Sequence, residues 1–70
     1  MISKINIKGH GDFKVIKDLM HRGKNPRLIL LSEGRFKQVQ FNSFSEYSIP
    51  RYQLGYDYNG NEIQIMVLNN

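Results

Sequence analysis

The dipeptide Asn59-Gly60 constrains the possible folds of this chain more than any other feature of its sequence. On both sides of it, apolar and polar residues alternate. Asn-Gly favours a two-residue hairpin turn, because both positions need positive φ and these two residues adopt it at low cost. A two-residue turn also sets the register of the arms. That register places three apolar pairs on one face: Tyr56 with Ile63, Leu54 with Ile65, and Tyr52 with Val67. The sequence therefore predicts a C-terminal β-hairpin with this face in the core.

The N-terminal part predicts a strand followed by a helix. Residues 4–8 alternate between polar and apolar, the period of a half-buried strand. Gly9-His10-Gly11 interrupts this alternation, and Asp12 is a favourable helix N-cap. Beyond it, five apolar residues share an arc of roughly 160° on a helical wheel: Phe13, Val15, Ile16, Leu19 and Met20. With Gly23 placed as a helix stop, the pattern predicts an amphipathic helix over about residues 12–22.

The middle of the chain predicts two more strands and one turn. Leu28 to Leu31 is a short apolar run typical of a buried strand. The segment 35–42 predicts a strand with Val39 and Phe41 on one face. Phe36 has the opposite parity, which indicates a bulge or an exposed aromatic. Residues 43–48 have capping-box spacing and predict a single helical turn or an irregular crossing before Pro50.

Together these elements predict a small α+β single domain over residues 1–70. The order is β-α-β-β-(turn)-β-β, with an antiparallel-rich sheet and the one amphipathic helix (about 12–22) packed on one face. Seventy residues allow only a thin core, and the opposite sheet face should be polar.

Positive charge is concentrated in the first half of the chain. Residues 1–37 carry nine basic and three acidic residues, whereas residues 38–70 carry only Arg51 against three acidic residues. A folded chain with this distribution has a dipolar surface, and the partner it indicates is a polyanion.

Residues 21–27, His-Arg-Gly-Lys-Asn-Pro-Arg, are the densest part of this basic segment. Lys24 and Arg27 are not required by the predicted helix, strand or core. With the outward side of the predicted helix they form one candidate binding surface: Lys14, Lys17, His21, Arg22, Lys24 and Arg27. Cations without a base-reading motif suit contact with phosphates. The alternative is that residues 21–27 are only a solvated joint between helix and strand.

Phe36 and Tyr58 are candidate aromatic anchors for a base or a partner protein. For Phe36 the alternatives are a bulged edge or core packing. For the tyrosines of the C-terminal half the alternative is packing inside the hairpin.

Several kinds of chemistry are not indicated. No nucleophile motif or acid–base constellation appears, so we do not expect an enzyme. His10 and His21 are eleven residues apart and cysteine is absent, so we expect no metal or cofactor. Asp57 and Glu62 are expected to face each other across the hairpin. One such pair supplies too few oxygens for a hard cation, and a solvated pair is favoured.

These observations favour a small non-enzymatic module that engages a polyanion, nucleic acid in the first place, with little sequence specificity. The alternative is a compact protein-interaction module, an inhibitor or modulator that caps an acidic surface of a larger protein. Homo-oligomerisation through sheet edges is a third option. Apolar runs of at most four residues indicate no membrane partner, and we expect a cytoplasmic protein.

Overall fold

The computed structural model describes residues 2–20, 27–32 and 36–69, which form a closed barrel of six antiparallel strands. The strands are β1 Lys4–Ile7, β2 Gly11–Met20, β3 Arg27–Leu31, β4 Gln38–Phe41, β5 Gln53–Asp57 and β6 Glu62–Asn69. Each strand pairs with the next, and β6 closes the barrel against β1, with Ile5 opposite Val67. A single 3-10 turn, Glu46–Ser48, lies between β4 and β5.

Inward-facing residues of the strands make up the core, because successive side chains of a strand point to opposite faces. The predicted inner faces of two strands are confirmed: Ile5 and Ile7 of β1, and Val39 and Phe41 of β4, are buried. The buried apolar cluster is Ile2, Ile5, Ile7, Val15, Ile29, Leu31, Phe36, Val39, Phe41, Ile65 and Val67.

The predicted helix over residues 12–22 is wrong, and the described fold is all-β, not α+β. Residues 11–20 form β2, which pairs with both β1 and β3. Val15 lies opposite Leu31 and Lys17 opposite Leu30, so Ile16 is an extra residue in a β-bulge. The bulge reverses the alternation, and residues 15 and 18, three apart, both face inward. The predicted apolar arc and the inner face of β2 share Phe13 and Val15, whereas Ile16 is 62% exposed and the inward-facing Asp18 is not part of that arc.

The C-terminal hairpin is confirmed, but its two-residue turn and its register were wrong. The N–H of Gly60 donates to the carbonyl of Asp57 at 3.0 Å, and the N–H of Asp57 donates to Asn61 O at 2.9 Å. Gly60 has φ +84°. This is a three-residue loop, a type I turn followed by a left-handed glycine. Tyr56 consequently pairs with Glu62 and not with Ile63.

The longer loop is favoured by the side chain of Asp57. Its Oδ1 accepts the N–H groups of Asn59 and Asn61, each at 2.9 Å. An aspartate at the first position of a type I turn commonly satisfies the turn in this way. The predicted two-residue turn follows from Asn59-Gly60 alone, without these bonds from Asp57.

The one-residue difference turns β5 over relative to the predicted pairing. Leu54 points outward, and Gln53 and Gly55 face the interior. A Cβ on Gly55 would lie 2.5 Å from Ile65 Cδ1 and 2.7 Å from Gln40 O, so only glycine fits there. The Gln53 amide brackets the backbone of Ser45, accepting its N–H at 2.9 Å and donating to its carbonyl at 3.0 Å. This buried polar side chain is thereby satisfied.

Two further predictions are confirmed in part. The apolar run 28–31 belongs to β3, but Ile29 and Leu31 are buried while Leu28 and Leu30 are half-buried on the outside. The single helical turn predicted over residues 43–48 is the 3-10 turn.

Closure of the barrel leaves none of the six described strands with an open edge. Oligomerisation through sheet edges requires a strand with an open edge, which these six strands do not offer. Within the described ranges, no helix has the length and apolar character needed to cross a membrane.

Candidate nucleic-acid interface

Four lysines on the outer side of the β1–β2 hairpin form the candidate site, which we call the lysine face: Lys4, Lys8, Lys14 and Lys17. Lys4 and Lys14 lie directly opposite each other in the β1–β2 pair. Lys14 and Lys17 would point to opposite sides of a regular strand. The bulge at Ile16 brings both to the outside. The lysine face is therefore a product of the irregularity in β2.

A row of polar contacts runs across this outer surface. The Tyr52 hydroxyl donates to Asn6 Oδ1. Asn6 Nδ2 donates to Asp12 Oδ1 at 2.8 Å, and Asp12 Oδ2 lies 3.9 Å from Lys4 Nζ. This exposed ion pair is long and contributes little, so Lys4 can turn to another anion at small cost. Lys8 Nζ lies 5.6 Å from the centroid of the Tyr52 ring. Tyr52 thus borders the lysine face.

Lys14 and Lys17 are exposed as predicted, although they lie on a strand and not on a helix. His21, Arg22 and Lys24 lie outside the described residues, so their part of the predicted surface stays a prediction.

The structure separates Arg27 from the exposed lysines. Its guanidinium donates two hydrogen bonds to Asp18, from Nε at 2.9 Å and from a terminal nitrogen at 2.7 Å. Both side chains are almost fully buried. The guanidinium carbon also lies 4.6 Å from the ring centroid of Phe44. The prediction that the fold does not require Arg27 is therefore wrong.

Asp18 is held ionised in this buried pair. Burial raises the pKa of Asp18, but hydrogen bonds from Arg27 and from the N–H of Ile2 outweigh it and hold the pKa below its usual value. A buried ion pair of this geometry closes one end of the barrel and leaves no cation of Arg27 for a ligand. The sequence signal was Asp18, which faces inward only when β2 carries its bulge.

The two candidate aromatic anchors differ in their exposure. Phe36 is 6% exposed and packs edge-on against His10 and Phe13, with centroid distances of 4.9 and 5.4 Å. It plugs the other end of the barrel and offers no free face for stacking. Tyr58 is 63% exposed, in the loop after β5, and lies between two clefts.

The predicted site did not include Lys4 and Lys8. Their signal was present in the sequence, because alternation over residues 4–8 puts Lys4, Asn6 and Lys8 on the polar side of the first strand. A helix over residues 12–22 does not place its outer side next to that of the first strand. The helix prediction therefore separated Lys4 and Lys8 from Lys14 and Lys17.

Asp57 and Glu62 do not face each other across the hairpin as expected. Asp57 lies opposite Val39, and Glu62 lies opposite Tyr56. Among the described residues, no group of three or more histidine, cysteine or acidic side chains could hold a metal ion.

Comparisons with models of protein families, with curated proteins and with solved structures found no match to this chain.

Proposed function

We propose that this protein is a non-enzymatic binding module whose lysine face contacts the phosphate backbone of nucleic acid with little sequence specificity. The proposal includes a cytoplasmic location, where nucleic acid is accessible.

The cross-strand pair of Lys4 and Lys14 carries this proposal. Like charges directly opposite each other destabilise a pair of strands. The two carboxylate oxygens of Asp12 are taken by Asn6 and Lys4, so Asp12 does not neutralise Lys8, Lys14 and Lys17 as well. A polyanion that binds across β1 and β2 would remove this repulsion. The same repulsion raises the affinity for phosphate, because binding relieves it.

Single strands suit this surface better than duplexes. The described residues measure 29 × 21 × 20 Å, and the outside of so small a barrel is strongly convex. A stiff duplex touches a convex surface with few phosphates, whereas a flexible single strand can follow it. Tyr52 also lies beside the lysines, where bases of a single strand can stack, and stacking is tolerant of sequence.

The test measures the salt dependence of binding to a fluorescent single-stranded oligonucleotide and to a duplex of equal length. For the parent protein we expect tighter binding of the single strand and a linear log–log dependence on salt. Lys14→Gln combined with Lys17→Gln should reduce the steepness of that dependence by about 1.4, since each lost contact contributes about 0.7 for single strands. Lys37→Gln, an exposed lysine in the connection to β4, is the matched control.

Two results would contradict the proposal. The double variant could bind with the same salt slope as the Lys37 control. Alternatively, the parent could fail to bind any oligonucleotide and instead retain a partner protein from lysate after nuclease treatment, as the protein-interaction alternative expects.

A further inference from the structure

We infer that a cleft at the opposite end of the barrel from the Asp18–Arg27 pair binds an arginine side chain of a partner polypeptide. The cleft has a volume of about 350 Å³, near the lower limit of small-molecule sites, so it suits one side chain. Its lining residues are His10, Phe36, Asp57, Tyr58, Asn59, Asn61, Glu62 and Ile63.

Aromatic rings form the walls of this cleft. His10 stands against Phe36 at 66° and 4.9 Å, so the two rings hold each other in place. Tyr58 lies on the rim and is largely exposed, with no described contact that covers its ring. The exposed face of the Tyr58 ring can attract a cation, and a planar guanidinium stacks on such a face better than an ammonium group does.

Negative charge and hydrogen-bond acceptors lie beside these rings. The N–H of Asn61 lowers the pKa of Asp57 most strongly, and bonds from the Asn61 side chain and Asn59 add to the effect. Asp57 is therefore fixed as an anion by its own turn. Glu62 is exposed at the same rim. A guanidinium carries five donors in a plane and matches acceptors arranged around it.

A second cleft beside the first favours a polypeptide as the ligand. It has a volume of about 270 Å³, and Asp57 and Tyr58 line both clefts. Its wall also contains Gln38, Gln40 and Tyr56, which offer amides and a ring to a neighbouring residue or backbone. A chain that places an arginine in the first cleft can lay its next residues in the second.

The test is an NMR titration of the labelled protein with three capped tripeptides: Gly-Arg-Gly, Gly-Lys-Gly and Gly-citrulline-Gly. We expect the arginine probe to shift the signals of Tyr58, Glu62 and Ile63, with the lysine probe weaker and the uncharged citrulline probe without effect. Tyr58→Ala and Glu62→Gln should each weaken arginine binding about threefold. Both residues are exposed, so these variants should fold.

Glu46→Gln, which removes a charge from the 3-10 turn, is the control and should bind as the parent does. The inference is overturned if citrulline binds as well as arginine, or if Glu46→Gln weakens binding as much as Glu62→Gln. Methylguanidinium binding as tightly as Gly-Arg-Gly would overturn the assignment to a polypeptide. None of these results depends on the lysine face.

Discussion

Asp18 and Arg27 make the most consequential single contact described in the barrel. This ion pair has two hydrogen bonds and is buried beside the core, and the N–H of Ile2 donates a third hydrogen bond to the carboxylate. Removing one member of such a pair leaves the other charge buried without a partner, which costs more than the pair itself contributes.

Asp18→Asn should destabilise the protein at pH 7 by about 3–5 kcal/mol, because Arg27 stays buried without its counter-charge. The pKa of Asp18 is lowered on folding, so its stabilising contribution is complete above the unfolded pKa and lost as pH falls through the folded one. The difference in melting temperature between parent and variant should therefore shrink as the pH falls below about 4.

Asp12→Asn is the matched control, since Asp12 is half exposed and its contact to Lys4 is long. This variant should melt close to the parent at every pH. If Asp18→Asn did the same, the burial of the pair would not contribute to stability.

At the scale of the element, β2 shows most clearly why sequence patterns can mislead. Its inward residues include Phe13, Val15 and Asp18, and the bulge at Ile16 accounts for the odd step between the last two. The apolar face of the predicted helix and the inner face of the bulged strand share Phe13 and Val15, so these residues do not distinguish a helix from a strand. Only the pairing with β1 and β3, which a local pattern does not contain, distinguishes them.

Deletion of Ile16 should preserve the barrel. It removes the extra residue, leaves Val15 and Asp18 facing inward and keeps Lys17 outside. We expect a melting temperature within about 5 °C of the parent, a change of roughly 1 kcal/mol for a domain of this size. Circular dichroism and NMR amide spectra check this expectation.

Deletion of Asn6, another outward residue but one that pairs regularly with both β2 and β6, should unfold the protein because it turns either Ile5 or Ile7 to solvent. Equal stability of the two deletion variants would show that the extra residue of β2 is not where the pairing places it.

Local signals did predict several elements correctly. The alternation of β1, the shared face of Val39 and Phe41 and the turn before Pro50 depend on neighbours in sequence. The first two are confirmed, and the third is confirmed in part. The hairpin was predicted correctly, but its predicted register was wrong because Asp57 lengthens the turn by one residue. The exposed lysines of the candidate site were partly predicted. The burial of Arg27 was not, since it depends on a partner on another strand.

At the scale of the whole molecule, closure of the barrel was not predictable from local patterns. The contact between Ile5 and Val67 joins residues from opposite ends of the sequence. Closure places β1 between β2 and β6, with lysines on the outside of β1 and β2 and Asp57 and Glu62 at the far loop of β5 and β6. The charge asymmetry of the sequence is thus distributed over the lysine face and the cleft at Asp57 and Glu62.

The pairing of β1 with β6 also brings the ends of the described chain together, where the N–H of Ser3 donates to Asn69 O at 3.1 Å. In such a closed ring of antiparallel strands, the fold depends little on which loop contains the chain termini. Joining the ends with a short glycine linker and opening the chain beside the fully exposed Tyr47 should give a circular permutant with the same fold. Pairing of β1 with β6 then becomes local and pairing of β4 with β5 becomes distant, so the contact order hardly changes. Stopped-flow refolding should give a rate within about tenfold of the parent, and a permutant that folded far more slowly would show that the hairpins are not interchangeable.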